Sequence, residues 1–263
     1  MSELFVAAMA RLAALTDSRC SEPWAWPGHT GWPLQVRDAL YRSLEEELAA
    51  VAAQAPPAAE SGRLLAVGQR AWGELRGLLV GVADSALDDA DERGAAGRAA
   101  GDWTLRQVLG HVLLTERRYR EQVEYALRRA DSDPLRMEPA ASLSAAEQEG
   151  GVREWIDRLA TERRAAASLA QTSAQQLLRP TVWAGYDVNV RFRLLRFAGH
   201  LVEHTVQAEK VLGALGGRIG EAHMIVRRIS AARGAHELFS DRDELARMDA
   251  LHAERAALLG GEG

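Results

Sequence analysis

The chain has 263 residues, 47% of them hydrophobic, enough to bury a core as one large domain or two small ones. Its net charge of -5, with no Lys/Arg run or basic face, argues against a phosphate-backbone footprint, so no nucleic-acid partner is expected. The single cysteine, Cys20, excludes an internal disulfide, and no apolar run approaches the ~20 residues that span a bilayer.

In chain order the pattern reads as helix after helix, with no sustained two-residue alternation. The opening MSELFVAAMARLAALT lacks a basic leader region, and Arg11 interrupts its apolar stretch. A signal peptide is therefore disfavoured, and the expected location is cytoplasmic with no membrane partner. Ser2 is placed to cap a first helix whose Leu4, Phe5, Ala8, Met9, Leu12 and Leu15 recur at helical spacing. SRCSEPWAWPGHTGWP then breaks it, a turn-rich segment whose indoles are expected to cover one end of the core. Pro33 suits the first position of a second helix ending near Gln54, before Pro56 and Pro57.

A helix from Ser61 to about Ala83 carries Leu64, Val67, Trp72, Leu75, Leu78, Leu79 and Val82 inward, and its interior glycines point to close helix packing. The acidic, Gly/Ala-rich stretch from Asp84 to Asp102 reads as a linker with room for one helical turn. Thr104 and Gln107 then form a capping box that starts a helix running to about Arg129. The connector from Asp131 to Leu143 has no periodicity and, if extended, reaches ~40 Å. Ser144 and Glu147 repeat the capping-box pattern ahead of a helix to about Ala170, followed by a short turn at Ser173 to Leu178. RPTVWAGYD leads into the helix from Asn189 to Leu215. Two more helices are expected after the Gly216–Gly217 pair, at Glu221 to Arg233 and, capped by Ser240, at Asp241 to Leu259.

The residues with chemical promise are His111, His200 and His204. Between Asn189 and Leu215, apolar side chains from Val190 to Leu215 fall within about ±40° of one direction, with His204 inside that stripe and His200 at its edge. Imidazoles one turn apart can address one metal ion, whereas two core histidines so placed repel each other if charged. His111, within VLGHVLL, is surrounded by apolar residues and needs a partner. The competing reading for each is an ordinary hydrogen-bonded core histidine. His29, His223, His236 and His252 are expected to be solvated, and Cys20 is a weak nucleophile candidate. His200-Leu-Val-Glu203-His204 also fits H-x-x-E-H, a peptidase signature too short to be specific. Glu203 projects about 60° from His200, so it either orients that ring or is merely solvated, the favoured reading. Glu116 points about 140° from His111 and is expected to pair helices rather than to be a ligand.

Two stretches carry a resemblance. GDWTLRQVLGHVLLTERRY resembles the second helix of the DinB/YfiT-like metalloenzyme superfamily, with its Trp-Ser/Thr start, a His and, five residues later, a Glu. RFRLLRFAGHLVEHTVQAEKVLGALG is similar to that family's last core helix, H-x-x-x-H followed by a Gln and a closing Leu-Gly. The resemblance implies an all-α, DinB-like four-helix bundle over 61–216; it does not explain the helical extensions at 1–56 and 217–263, whose single apolar stripes are expected to dock on the core in one compact domain. It implies that His111, His200 and His204 bind a divalent ion, zinc, nickel or iron. It also implies activation of a low-molecular-weight bacterial thiol for S-transfer to a small electrophile, with a metal-dependent hydrolase or a non-catalytic metal-binding, stress-response bundle as alternatives, and a homodimer formed through bundle helices.

Overall fold

The computed structural model describes residues 2–25, 33–54, 57–89, 103–216 and 219–260. The protein is all-α apart from two short antiparallel strand pairs among these residues. Its backbone divides into two compact units, Met1–Ala55 with Trp72–Val82 and Arg218–Gly263, and Pro56–Ala71 with Ala83–Gly217.

In the first unit, α1 (Glu3–Ala13) is capped by Ser2, whose hydroxyl accepts the Leu4 N–H at 3.1 Å. The one-turn α2 (Asp17–Cys20) follows. Strands β1 (Pro23–Trp24) and β2 (Leu34–Gln35) pair ahead of α3 (Val36–Ala53). The helix expected to start at Pro33 therefore starts later: Leu34 and Gln35 are held in the ladder, and the Gln35 N–H donates to Asp38 Oδ2 at 2.8 Å. Of the tryptophans there, Trp24 packs on the core, while Trp26 and Trp32 lie outside the described residues. The other elements of this unit are the C-terminal half of α4 (Glu60–Leu79), then α10 (Glu221–His236) and α11 (Arg242–Gly260). α11 starts from Asp241, whose carboxylate accepts the Asp243 N–H at 2.7 Å; the Ser240 hydroxyl, expected as the cap, is donated instead to His236 O. Phe5, Met9, Leu12, Val36, Leu40, Val226 and Ile229 form the core. The α4 glycines do allow close packing: a Cβ on Gly73 would lie 2.2 Å from Ser230 O.

The second unit holds the N-terminal half of α4 together with α5 (Leu105–Arg128), α7 (Val152–Ala165) and α9 (Val190–Ala214), the bundle helices expected from the sequence. The Thr104/Gln107 capping box is formed, Thr104 N–H donating to Gln107 Oε1 at 2.9 Å and Gln107 N–H to Thr104 Oγ1 at 3.3 Å. The Ser144/Glu147 box is formed too, but it opens only the one-turn α6 (Ala145–Gln148). Gly150, at φ 95°, turns the chain, and α7 begins anew after Gly151. The predicted linker turn is a short 3₁₀ helix at Asp84–Leu87, whereas residues 90–102 lie outside the described part.

α8 (Ala174–Leu177) occupies the expected turn. The loop before the last bundle helix is a hairpin, β3 (Pro180–Trp183) against β4 (Tyr186–Asn189), closed by Ala184 at φ 48° and Gly185 at φ 86°. Four-residue strands are too short for alternation to register in the sequence, so the all-helix reading missed it. Asn189 ends the hairpin and caps α9, its Oδ1 accepting the Phe192 N–H at 3.0 Å.

Candidate metal centre

α5 and α9 pack together in the second unit, and their buried faces carry Leu105, Leu109, Val112 and Val123 on one helix and Leu194, Phe197, Leu201 and Ala208 on the other. The helical period that buries those residues brings His200 and His204 to the same face as Leu201 and Ala208, and α5 delivers His111 to them. Ring centroids lie 4.4 Å apart for His200 and His204, 4.6 Å for His111 and His204, and 5.2 Å for His111 and His200. One ligand atom from each lies within 4.8 Å of the others, the one such cluster of metal-binding side chains among the described residues.

His200 Nε2 and His111 Nε2 are 3.3 Å apart. Two nitrogens bound tetrahedrally at the usual zinc–imidazole distance of about 2.0–2.1 Å would be separated by roughly 3.3–3.4 Å. The outward nitrogen of His204 is also arranged as a ligand histidine requires. His204 Nδ1 is 2.7 Å from Gln207 Oε1, so that Nδ1–H donates outward and leaves Nε2 as the free base. His200 Nδ1 faces Glu116 Oε1 at 3.8 Å, beyond hydrogen-bond reach, and both atoms are buried without a hydrogen-bond partner. Glu116 is held from behind, its Oε2 accepting from Arg163 at 2.7 Å, while Arg163 Nε donates to Gln69 Oε1 at 2.6 Å. Glu116 and Arg163 are each 1% exposed.

Burial also sets the protonation state. It pushes the His111 pKa down to about 4, with the neighbouring His204 and His200 adding to the effect. Burial and then His200 lower that of His204. Neutral imidazoles are the form that coordinates a metal. The indole of Trp103 lies against the cluster, 4.9 Å from the His111 ring and stacked 6.4 Å from that of His204. Beyond it, Tyr119 contacts the His200 ring at 5.5 Å and accepts from Trp183 Nε1 at 3.1 Å.

A sequence model of the DinB superfamily matches residues 68–208, more than half of the chain. The chain belongs to the DinB superfamily. No curated protein and no solved structure matches it. As a DinB-superfamily protein it presents His111, His200 and His204 as one cluster compatible with a divalent ion: three imidazoles converge with no carboxylate among the ligand atoms, and geometry and donor set fit a metal.

The other candidates fall elsewhere. Glu203 is exposed and bonded to Arg196 at 2.7 Å, the solvated alternative, and does not orient His200. Glu116 pairs α5 with α7, as expected, and reaches His200 as well. Cys20 belongs to the first unit, fully buried, with its thiol pKa raised by burial. His223, His236 and His252 are not solvated: His236 and His252 are 2% and 0% exposed, and His223 is half-buried against Gly77 O at 2.9 Å. Their helices are covered by other helices of the first unit, which no local pattern reveals. His29 lies outside the described residues. Sequence reasoning missed Trp103, Arg163, Gln69 and Gln207 as parts of the site; of these only Gln207, three residues after His204, carries a local signal.

Proposed function

We propose that His111, His200 and His204 hold a divalent ion, zinc, nickel or iron, and that the site activates a low-molecular-weight thiol for S-transfer to a small electrophile. The observation that carries this reading is the convergence of three imidazoles at metal-ligand spacing with no fourth ligand side chain among the described residues. A bound divalent ion there acts as a Lewis acid with an open position and lowers the pKa of a thiol or water that it holds. The chain's own part is to present Nε2 lone pairs, with Gln207 fixing the His204 ring from the outside, the Glu116 carboxylate facing His200, and Trp103 lying against the cluster. The buried Cys20 is no usable nucleophile, which favours a thiol supplied from outside. A cytoplasmic location, where thiols stay reduced, agrees with this chemistry. No helix among the described residues is long and apolar enough to cross a membrane.

The test is conjugation of a chlorobimane-type probe with a panel of bacterial thiols, in which an S–C bond forms and chloride leaves. Conjugation that needs both metal and thiol supports the transferase. Equal rates in chelated protein contradict it, and turnover with water alone turns the reading to a hydrolase; no reaction under any condition leaves a non-catalytic metal-binding bundle. A homodimer is also proposed, because α9 leaves Leu195, Val202 and Val206 about half exposed on its outward side. Sedimentation equilibrium at the monomer mass would remove that part.

A further inference from the structure

Arg193, on α9, is a buried charge without a counter-charge. It is 5% exposed, and its guanidinium carbon stands 4.2 Å from the ring centroid of Tyr119. Among the described residues it makes no ion pair and no hydrogen bond. Other arginines of this unit are answered: Arg163 by Glu116, Arg120 by Glu162, Arg191 by Glu60, Arg196 by Glu203, and the buried Arg129 by backbone carbonyls. Burial pushes the Arg193 pKa down to about 10, which leaves it charged at neutral pH. An unpaired cation in such a place is costly, and a phenol ring beneath it offsets only part of that cost. Of its three nitrogens only Nε is sealed from solvent without an acceptor, so the unbonded terminal pair is what water, or a ligand, reaches.

Its position points to the histidine cluster. His200 follows Arg193 by seven residues, about 20° short of two helical turns, so both stand on one face of α9 with Cα atoms roughly 10 Å apart. Tyr119 lies against both, its ring 5.5 Å from that of His200, which puts the guanidinium carbon within about 10 Å of the His200 ring. We propose that Arg193 binds a carboxylate of the small thiol whose sulfur lies at the histidine cluster. A thiol held there and long enough to follow α9 back for two turns brings its far end to the guanidinium, whose two free terminal nitrogens match a carboxylate's two oxygens. The thiol end of this proposal rests on the proposed function; the carboxylate preference at Arg193 does not.

The test is equilibrium dialysis of 6-mercaptohexanoate and 6-mercaptohexanol, alike except for the end group, against metal-loaded and chelated protein. Metal-loaded wild type should bind the acid about 10- to 100-fold more tightly than the alcohol, the worth of one charge-assisted pair. Arg193→Met should abolish the preference and leave the affinity for the alcohol unchanged, while Arg193→Lys, which keeps the charge, should retain part of it. A preference owed to the metal ion would instead survive Arg193→Met. Ligand-free Arg193→Met should have a urea midpoint no lower than wild type, since it removes an unpaired buried cation. Equal affinity for the two thiols in wild type, a preference that survives Arg193→Met, or an Arg193→Met protein less stable than wild type would each overturn the proposal. Chelation should weaken both thiols and keep their ratio. If chelation changes neither affinity while the ratio stands, the metal centre fails alone; metal-dependent binding of both thiols at equal affinity sinks Arg193 alone.

Discussion

Two buried polar clusters, one in each unit, use histidine in opposite ways. In the first unit Glu47, fully buried, faces His252 Nε2 at 2.9 Å, Arg233 at 3.4 Å and His236 Nε2 at 3.6 Å, and Arg233 continues to Asp249. In the second unit three histidines face one another, and the nearest carboxylate, Glu116, stands behind His200. Acids and bases gathered in one place pair with each other, as Glu47 does with His252 and Arg233. Bases gathered with no acid between them leave their lone pairs aimed at one point, which calls for a cation from outside. Burial of histidine is thus no guide to function by itself; what the rings face decides it.

The largest effect that separates the two clusters is on stability. Glu47→Ala should destabilise the protein by about 2–3 kcal/mol, because it takes a buried acceptor from both His252 and Arg233, although Arg233 keeps Asp249. His200→Ala in metal-free protein should cost about 1 kcal/mol, since that ring has no ion partner closer than Glu116 at 3.8 Å. Urea denaturation of chelated protein measures both, and the reverse order would erase the distinction. Metal affinity should behave the other way round: unchanged by substitution in the Glu47 cluster where the variant still folds, and lowered about 10- to 100-fold by Glu116→Gln, which leaves a weaker acceptor behind His200. Competition against a chromophoric chelator reads this directly, and a Glu116→Gln affinity equal to that of wild type would reduce Glu116 to a helix-pairing role.

A smaller effect is the pH dependence. The His111 pKa in the folded chain is depressed to about 4, against about 6.5 unfolded, so the unfolded chain binds more protons between those values. The stability tied to this group is fully present above about pH 6.5 and is lost as pH falls towards 4. Metal-free wild type should therefore lose stability between pH 7 and 5 faster than His111→Asn; parallel curves from urea midpoints at the two pH values would contradict that. The smallest effect tests the division itself. We propose that the two units unfold as one domain, because α4 is a single helix with residues in each. Calorimetry should give one transition, and two would separate the units.

What was legible in the sequence follows from the range of the interactions. The α9 pair could be read because helical period alone places His200 and His204 on one buried face, and the α5 start could be read because Thr104 and Gln107 are three residues apart. His111 joined them through its apolar surroundings and through a resemblance that the superfamily match bears out. The Glu116–Arg163 bridge spans 47 residues of sequence, and Arg163 reads locally as one more surface arginine. The histidines of α10 and α11 were misjudged for the same reason: their burial comes from packing against distant helices. The Ser144 capping signal was sound, but the Gly150–Gly151 pair limited it to one turn.

The central claim is that three facing histidines, unlike those around Glu47, are built for a cation. Elemental analysis of protein purified without a histidine tag tests it most directly. The account predicts near-stoichiometric zinc, nickel or iron in wild type, lost in His200→Ala and His204→Ala and retained in His223→Ala. Metal-free wild type that takes up no zinc, nickel or iron on re-addition would contradict it and return His111, His200 and His204 to the status of core histidines.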